Sequence, residues 1–277
     1  MTVSITFTLI KYAVTFVESG LPAGTPWSVT LNGVTKSSTN NTITFYEQPG
    51  TYSYTVSPIS GYVISPSSGE ITVNSNMTIH ITFTLIKYTV TFVESGLPTG
   101  TPWSVTLNGV TKSSTNNTII FYVPSGTYTY NVSPISGYVI SPSSGEITVK
   151  SNMTIYVTFS VIKYTITFVE SGLPTGTPWS VTLNGVTKSS TNNTIIFYVP
   201  SGTYTYNVSP ISGYVISPSS GEITVKSNMT IYVTFSVIKY TITFVEKGLP
   251  PGTPWSVTLD GVTKTSITNT IVFDEPN

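Results

Sequence analysis

The feature that most constrains the fold is an internal repeat with a period of 76 residues. Blocks reading K-Y-x-(V/I)-T-F-V-E begin at Lys11, Lys87, Lys163 and Lys239. Blocks 87–162 and 163–238 differ at one position, where Val90 is replaced by Ile166. A unit of this length can hold a small core of its own. We therefore expect compact units in tandem, not a thin solenoid.

Every pattern within a block predicts β-strands, and no segment has a helical period. "PWSVTL" alternates apolar and polar residues, and Asn32-Gly33 follows it, which is the strongest short signal for a β-hairpin. "NTITFYE" and "GTYSYTV" alternate in the same way, while "GYVISPSSGEITV" reads as two short strands broken by Pro66 and Gly69. The sequence predicts an all-β fold, a tandem array of small Ig-like β-sandwich repeats with about seven strands each.

The junction between blocks contains a change of phase. In "MTIHITFTLIKYTVTFVES" the apolar residues occupy odd positions up to Leu85 and even positions from Ile86 onward. A shift of one residue turns the buried face of a strand over, so a strand leaves one sandwich and enters the next with almost no linker. We predict a terminal strand at 1–10 (orphan or donated), repeats at 11–86, 87–162 and 163–238, and an incomplete repeat at 239–277. Such short connections favour a stiff, rod-like array.

The charge content excludes several classes of partner. Only 8% of the residues are charged, arginine is absent, and the net charge is zero. Nothing neutralises phosphates, so neither nucleic acid nor polybasic membrane attachment is expected. With no cysteine, disulfides and thiolate metal sites are excluded. No apolar run is long enough to span a membrane, no signal peptide is recognisable, and no cofactor is predicted.

The motif "FVESGLPAGTPWSVTLNGVTKSS", followed by "GYVISPSSGEITV" and "NMTIHITF", resembles a β-sandwich repeat of archaeal secreted and cell-surface proteins. It is similar to repeats in surface proteins from hot, acidic habitats, including regions attached to secreted acid proteases. The resemblance covers essentially the whole chain and implies a repeat type and an extracellular location, not an activity. A looser likeness, in architecture only, is to archaeal pilus-like filaments whose subunits join by donated strands.

N-glycosylation sequons are the clearest functional pattern. Eight asparagines begin N-x-S/T without proline at the middle position: Asn40, Asn76, Asn116, Asn131, Asn152, Asn192, Asn207 and Asn228. The alternative is that a sequence rich in Thr, Ser and Asn generates such triplets by chance. If the protein is secreted, we expect several to carry N-linked glycans, which would help a surface with so few charges to stay soluble.

The remaining candidate residues favour structural roles. His80, the only histidine, has no histidine counterpart in the other blocks and is interpreted as a surface residue. The recurrent glutamates, Glu18 and Glu70 with their copies, lack an accompanying nucleophile or metal ligand and are expected to pair with Lys11 or Lys36 and their copies. Trp27 and its copies are interpreted as core anchors, and Tyr62 and its copies as exposed contact residues. A Lys–Asn isopeptide crosslink beside a buried glutamate is a further alternative. No enzymatic activity is predicted.

The first ten residues, "MTVSITFTLI", repeat the end of a block, which reads "MTIHITFTLI" from Met77. In one explanation they complete the sheet of a neighbouring chain through Val3, Ile5, Phe7 and Leu9. In the other, the chain is an excerpt of a longer array and both ends are cuts. The sequence favours this explanation, because no signal peptide is recognisable and the final block is expected to lack its last three strands, which one donated strand cannot replace. Burial of the donated side chains about offsets the entropy lost on ordering them.

The sequence thus predicts an extracellular structural protein at the cell surface, a glycosylated rod, filament or stalk that associates with itself head to tail. The alternative is an adhesin-type module that recognises cell-surface glycans or another cell. Self-association separates the two, because a binding module would bind glycans while remaining monomeric.

Overall fold

A computed structural model describes residues 2–276. These residues form strands joined by turns and loops, and none of them belongs to a helix with the length and apolar character needed to cross a membrane. The predicted all-β tandem repeat is confirmed, with eight strands in each complete repeat where about seven were expected. The first repeat contains β1 (Tyr12–Ser19), β2 (Trp27–Leu31), β3 (Val34–Ser38), β4 (Thr42–Glu47), β5 (Gly50–Val56), β6 (Tyr62–Ser65), β7 (Ser68–Val73) and β8 (Met77–Leu85).

The same elements recur at the sequence period. The second repeat contains β9 (Tyr88–Ser95), β10 (Trp103–Leu107), β11 (Val110–Ser114), β12 (Thr118–Val123), β13 (Gly126–Val132), β14 (Tyr138–Ser141), β15 (Ser144–Val149) and β16 (Met153–Val161). The third contains β17 (Tyr164–Ser171), β18 (Trp179–Leu183), β19 (Val186–Ser190), β20 (Thr194–Val199), β21 (Gly202–Val208), β22 (Tyr214–Ser217), β23 (Ser220–Val225) and β24 (Met229–Val237). Residues 239–276 form β25 (Lys239–Val245), β26 (Trp255–Leu259), β27 (Val262–Ser266) and β28 (Thr270–Pro276).

Each complete repeat has two four-stranded sheets. In the first repeat their orders are β4-β1-β8-β6 and β3-β2-β5-β7. β1 and β8 run parallel, with Val14 opposite Met77 and Ser19 opposite Thr82. The other neighbouring strands are antiparallel. Because β6 and β7 lie in different sheets, the segment between Tyr62 and Val73 crosses from one layer to the other.

The core of the first repeat lies between the inner faces of its two sheets. Phe16 is fully buried, and its ring packs edge-on against Phe45 and tilted against Tyr54 at centroid distances of 5.9 and 5.1 Å. Trp27 contacts Phe83 at 6.3 Å. Burial raises the pKa of the Tyr54 hydroxyl above its ordinary value. The third repeat has an equivalent core of its own, so each of these repeats buries an apolar centre independently.

Local turn chemistry explains the strand boundaries. Asn32 and Gly33 have φ of 51° and 76°, which confirms the predicted tight turn between β2 and β3. The predicted break at Gly69 is wrong, because this glycine lies inside β7. A Cβ on Gly69 would come within 2.8 Å of the Tyr54 ring, so the glycine makes room for an aromatic side chain on the neighbouring strand.

The change of phase at the junction is confirmed within the first 95 residues. Ile81 and Phe83 of β8 are buried at odd positions, and Val90 and Phe92 of β9 are buried at even positions. The chain forms two compact units, one of residues 1–135 with 140–159 and the other of residues 136–139 with 160–277. The domain boundaries placed at each repeat stay a prediction.

Candidate functional surfaces

All eight predicted sequon asparagines are exposed. They fall into three settings: the turn after β3, β11 or β19, the turn before β8, β16 or β24, and the next-to-last position of β13 or β21. The first setting contains Asn40, Asn116 and Asn192, the second Asn76, Asn152 and Asn228, and the third Asn131 and Asn207. Exposure meets the basic requirement for modification, and attachment of glycans stays a prediction.

In the turn before β8, β16 or β24, the sequon asparagine also has a structural role. Asn76 Oδ1 accepts a hydrogen bond from the backbone N–H of Ala13 at 2.8 Å. The same contact joins Asn152 to Thr89 and Asn228 to Thr165, each at 2.9 Å. The carbonyl end of the amide therefore ties the last turn of a repeat to its first strand. The Nδ2 atom, which carries a glycan in a modified asparagine, is the other end of the same amide.

The predicted strand-exchange segment has no strand partner in this single chain. Residues 2–11 form no strand, although they repeat the sequence of β8. Val3, Ile5, Phe7 and Leu9 are exposed by 78%, 73%, 92% and 70%. Their counterparts in β8 include Ile81 and Phe83, exposed by 0% and 2%. The segment thus presents apolar side chains of a kind that the complete repeats bury, and its exchange stays a prediction.

Residues 239–276 bury Ile271 and Phe273 of β28 but leave much of the remaining core face partly exposed. β25 pairs with β28, and β26 pairs with β27, in two-stranded sheets. Trp255 is half-buried here, whereas Trp179 is buried in the third repeat. A Cβ on Gly248 would have no atom within 4 Å, whereas a Cβ on Gly172 would collide with the backbone oxygen of Phe235. The place that β24 occupies in the third repeat is therefore open beside β25.

One lysine in each repeat spans the seam between the two sheets. Lys36 Nζ on β3 donates a hydrogen bond to the backbone oxygen of Thr44 on β4 at 2.8 Å, and lies 4.9 Å from the centre of the Phe45 ring. The corresponding lysines make the same contacts: Lys112, Lys188 and Lys264. β3 and β4 are both edge strands, so the lysine satisfies a carbonyl that the sheet leaves unpaired. We call each of these four residues a seam lysine. The sequence analysis did not predict their contacts.

Glu18 and Lys36 bind other partners than each other. Glu18 Oε2 accepts a hydrogen bond from the backbone N–H of Leu21 at 3.3 Å, which closes the turn after β1. Lys36 is engaged at the seam. No charged side chain among residues 2–276 is buried, so the buried glutamate that an isopeptide crosslink needs is not found among them. Nor does this part of the chain contain three or more His, Cys, Asp or Glu side chains grouped to hold a metal.

Of the two predictions for aromatic residues, the one for Trp27 is confirmed and the one for Tyr62 is wrong. Trp27 is 3% exposed, and its indole N–H donates to the backbone oxygen of Asn40 at 2.7 Å, so its role as a core anchor is confirmed. Tyr62 is half-buried, and its ring packs edge-on against Phe83 at 6.4 Å. Its interpretation as an exposed contact residue is wrong, because it closes one end of the core. His80 is exposed, in agreement with the interpretation as a surface residue.

Sequence analysis also missed the outward-facing tyrosines. Tyr122 on β12 is 62% exposed and Tyr156 on β16 is 72% exposed. Both strands flank β9 in one sheet, and Tyr156 lies opposite Val93. The signal was present in the alternation, since tyrosine stands at polar-face positions of both strands.

Two kinds of depression bear on function, an apolar groove and a polar cleft. An apolar groove follows the seam, with a volume of about 290 Å³ in the third repeat beside Lys188, Phe197 and Tyr204. A polar cleft of about 520 Å³ lies in the second repeat, and its walls include the sequon residue Asn116. It is lined by Glu94, Leu97, Thr99, Gly100, Thr115, Asn116, Asn117 and Thr118.

Comparison with solved structures supports the sandwich fold. The TIE protein of Bacillus anthracis aligns with a TM-score of 0.61 and 17% identity over 82% of this chain and 51% of that one. This chain therefore spans about half the length of that structure. Lower similarity is found to BcpA, the major pilin subunit of Bacillus cereus, with a TM-score of 0.44, 10% identity, and coverage of 82% of this chain and 100% of that one.

Two B repeat units of the collagen-binding protein of Staphylococcus aureus align with a TM-score of 0.27 and 14% identity, over 96% of this chain and 89% of that one. No protein-family model matches the chain, and no curated protein matches its sequence. The similar structures named are bacterial, so the archaeal resemblance stays a prediction. At these identities the comparisons establish the fold, a tandem array of β-sandwich repeats.

Proposed function

We propose that the chain is an extracellular structural protein of the cell surface, a glycosylated rod, filament or stalk whose copies join head to tail by strand complementation. The observation that carries the proposal is a matching pair of unpaired elements. One end presents an exposed copy of the β8 sequence, and the other presents a sheet in which the place of β8 is open.

The acceptor is the open side of β25. In the third repeat β24 runs parallel to β17, with Phe168 opposite Ile231 and Glu170 opposite Val233. The repeat period transfers this register to β25, so that Phe244 would lie opposite Val3 of a second copy and Glu246 opposite Ile5. Backbone pairing along the exposed edge would hold the added strand, as in other cases of β-strand addition.

The donor's most important side chain is Phe7. Its counterpart Phe235 is buried and packs edge-on against Trp179 at 6.2 Å. Phe7 of the second copy would pack on Trp255 of the first copy. The backbone oxygen of that Phe7 would lie against Gly248 of the first copy. Both acceptor residues have room for it, since Trp255 is half-buried and Gly248 faces open space. Gly248 would thus permit the same close approach of a strand that Gly172 permits within the third repeat.

Light scattering coupled to size exclusion tests this assembly. The full chain should associate in a concentration-dependent manner, and deletion of residues 1–10 should abolish association. Phe7→Ala should weaken it strongly, because the ring supplies the largest buried surface. Thr6→Ala is the matched control, since its counterpart Thr234 faces solvent and the variant should behave as the parent. Monomers at all concentrations, or association that survives the deletion, would refute strand complementation.

Glycosylation forms the second part of the proposal. The eight sequon asparagines are exposed on the described surface, which is otherwise poor in charge. In the modification the Asn Nδ2 atom would form a bond to the anomeric carbon of a phosphate-activated sugar donor. The sugar–phosphate bond breaks, the phosphate departs with its electron pair, and Nδ2 loses one proton. Intact mass measured on the secreted protein before and after enzymatic deglycosylation gives the occupancy; an unchanged mass would refute it.

An adhesin-type module is the second candidate, favoured by the exposed tyrosines Tyr122 and Tyr156. They share the outer face of one sheet with threonines and Val93, and none of the residues that β9, β12 and β16 place on that face is charged. Aromatic rings and hydroxyl groups suit a neutral glycan. Binding to a glycan array by a chain that remains monomeric would favour this candidate over the filament.

A further inference from the structure

The polar cleft of the second repeat contains its own attachment point for a ligand. It has a volume of about 520 Å³ and lies between the turn that follows β9 and the turn that joins β11 to β12. Asn116 and Thr118, the first and third residues of one sequon, both line it. A glycan attached at Asn116 would therefore start at the wall of a cleft, not on an open surface.

The backbone of Asn116 is held firmly. Its carbonyl oxygen accepts hydrogen bonds from Trp103 Nε1 at 2.7 Å and from the Ser114 hydroxyl at 3.1 Å. Its N–H donates to Ser114 Oγ at 3.0 Å. Trp103 is 3% exposed, so the turn is anchored to the core. The carboxamide of Asn116 is exposed and makes no hydrogen bond to any residue between 2 and 276, which leaves Nδ2 free to be modified.

The lining suits a neutral, hydroxyl-rich occupant. The hydroxyl groups of Thr99, Thr115 and Thr118 and the carboxylate of Glu94 are donors or acceptors for sugar hydroxyls. No lysine lines the cleft, which disfavours phosphate. A single carboxylate is too few for a typical calcium site. The volume lies within the range of ordinary small-ligand sites.

We propose that the inner one or two sugar residues of an N-linked glycan at Asn116 are seated in this cleft, hydrogen-bonded to Glu94 and Thr99. The inference rests on the proposed glycosylation and adds where the glycan lies. Seating would make this glycan part of the folded repeat, whereas glycans at the turns before β8, β16 and β24 would project into solvent.

The repeats supply matched controls. The third repeat keeps the same lining residues, with Glu170, Thr175 and Asn192 in the places of Glu94, Thr99 and Asn116. The first repeat keeps the sequon at Asn40 but has Ala23 in place of Thr99. Asn152 lies in the turn before β16 and serves as a site outside the cleft.

The test uses the full chain secreted from a eukaryotic host that attaches N-linked glycans. The native protein is treated with an endoglycosidase that cuts between the two innermost sugars, and remaining glycan is followed at each sequon by peptide mass spectrometry. The glycan at Asn116 should be released more slowly than the glycan at Asn152, because it must leave the cleft before the enzyme can cut it. Each hydrogen bond of about 1 kcal/mol that is broken in this step should slow release about fivefold. Denaturation should abolish the difference.

Thr99→Ala provides the decisive variant, because Ala23 shows that the repeat carries alanine there. It should speed release at Asn116 and leave Asn192 unchanged. The seating would be overturned, with glycosylation still standing, by either of two results. One is a glycan released from Asn116 as fast as from Asn152, and the other is a rate of release at Asn116 that Thr99→Ala does not change. An unoccupied Asn116 beside other occupied sequons would overturn the seating alone. Absence of glycan at every sequon would overturn the proposed glycosylation and the seating with it.

Discussion

The third repeat and residues 239–276 share nearly the same sequence up to β28 but differ in burial. Ile166 is fully buried in the third repeat, whereas its counterpart Ile242 is 39% exposed. Phe168 is likewise buried, and Phe244 is half-buried. The difference arises because β17 is flanked by β24, for which residues 239–276 have no counterpart.

The local structure nevertheless survives. Phe244 lies opposite Ile271, in the same register as Phe168 and Ile195. Trp255 Nε1 still donates to the backbone oxygen of Thr268 at 2.6 Å. These contacts join residues 27 and 13 positions apart. Burial of Ile166 and Phe168 depends in addition on β24, whose paired residues lie 63 positions away. The comparison shows that β25 pairs with β28 and β26 with β27 without the second half of a repeat, whereas full burial of the β25 core face requires it.

The largest expected effect separates the two phenylalanines. Phe168→Ala should destabilise the third repeat by about 3–5 kcal/mol, because it empties a buried site that contacts Phe197 and Tyr206. Phe244→Ala should cost about 1–2 kcal/mol, since its ring is already partly in water. Hydrogen exchange measured on the β17 and β25 peptides reports each change separately. Equal costs would show that the core face of β25 is covered.

The next comparison concerns two glycines with positive φ. Gly172 and Gly248 have φ of 96° and 104°, so alanine at either position should cost about 1–2 kcal/mol from backbone strain. Gly172→Ala should cost more, because its Cβ would collide with the backbone oxygen of Phe235. Thermal unfolding of the monomeric chain at low concentration measures both. Equal destabilisation would mean that no strand presses on Gly172.

The smallest difference is expected at the seam lysines. Lys188 and Lys264 donate to the backbone oxygens of Ile196 and Val272, each at 2.7 Å, so neither contact needs the strands that residues 239–276 lack. Replacement by methionine should cost about 1–2 kcal/mol at both positions, the scale of one charged hydrogen bond with a ring contact. Local hydrogen exchange in β20 and β28 measures it. A markedly smaller cost at Lys264 would contradict the local origin of this contact.

Local patterns were sufficient to predict the repeat, the strands and the tight turn at Asn32. Local patterns could not predict the pairing of β1 with β8, because it joins residues 63 positions apart and no local signal specifies a distant partner. The seam lysine was missed for a different reason: its acceptor is close in the sequence, but β3 and β4 lie in different sheets, and alternation does not show where the chain changes sheet. Exposure of six sequon asparagines followed from their turns, and that of Asn131 and Asn207 from the alternation of their strands. The cleft beside Asn116 depends instead on two loops meeting in space.

The parallel pairing of β1 and β8 also determines how a repeat responds to tension. The chain enters the first repeat at the start of β1 and leaves at the end of β8. Because the two strands are adjacent and parallel, these points lie at opposite ends of the same ladder. A pull on the chain would slide one strand along the other and load the hydrogen bonds of the ladder together instead of opening them one at a time. Each repeat is thus built to resist stretching by shear.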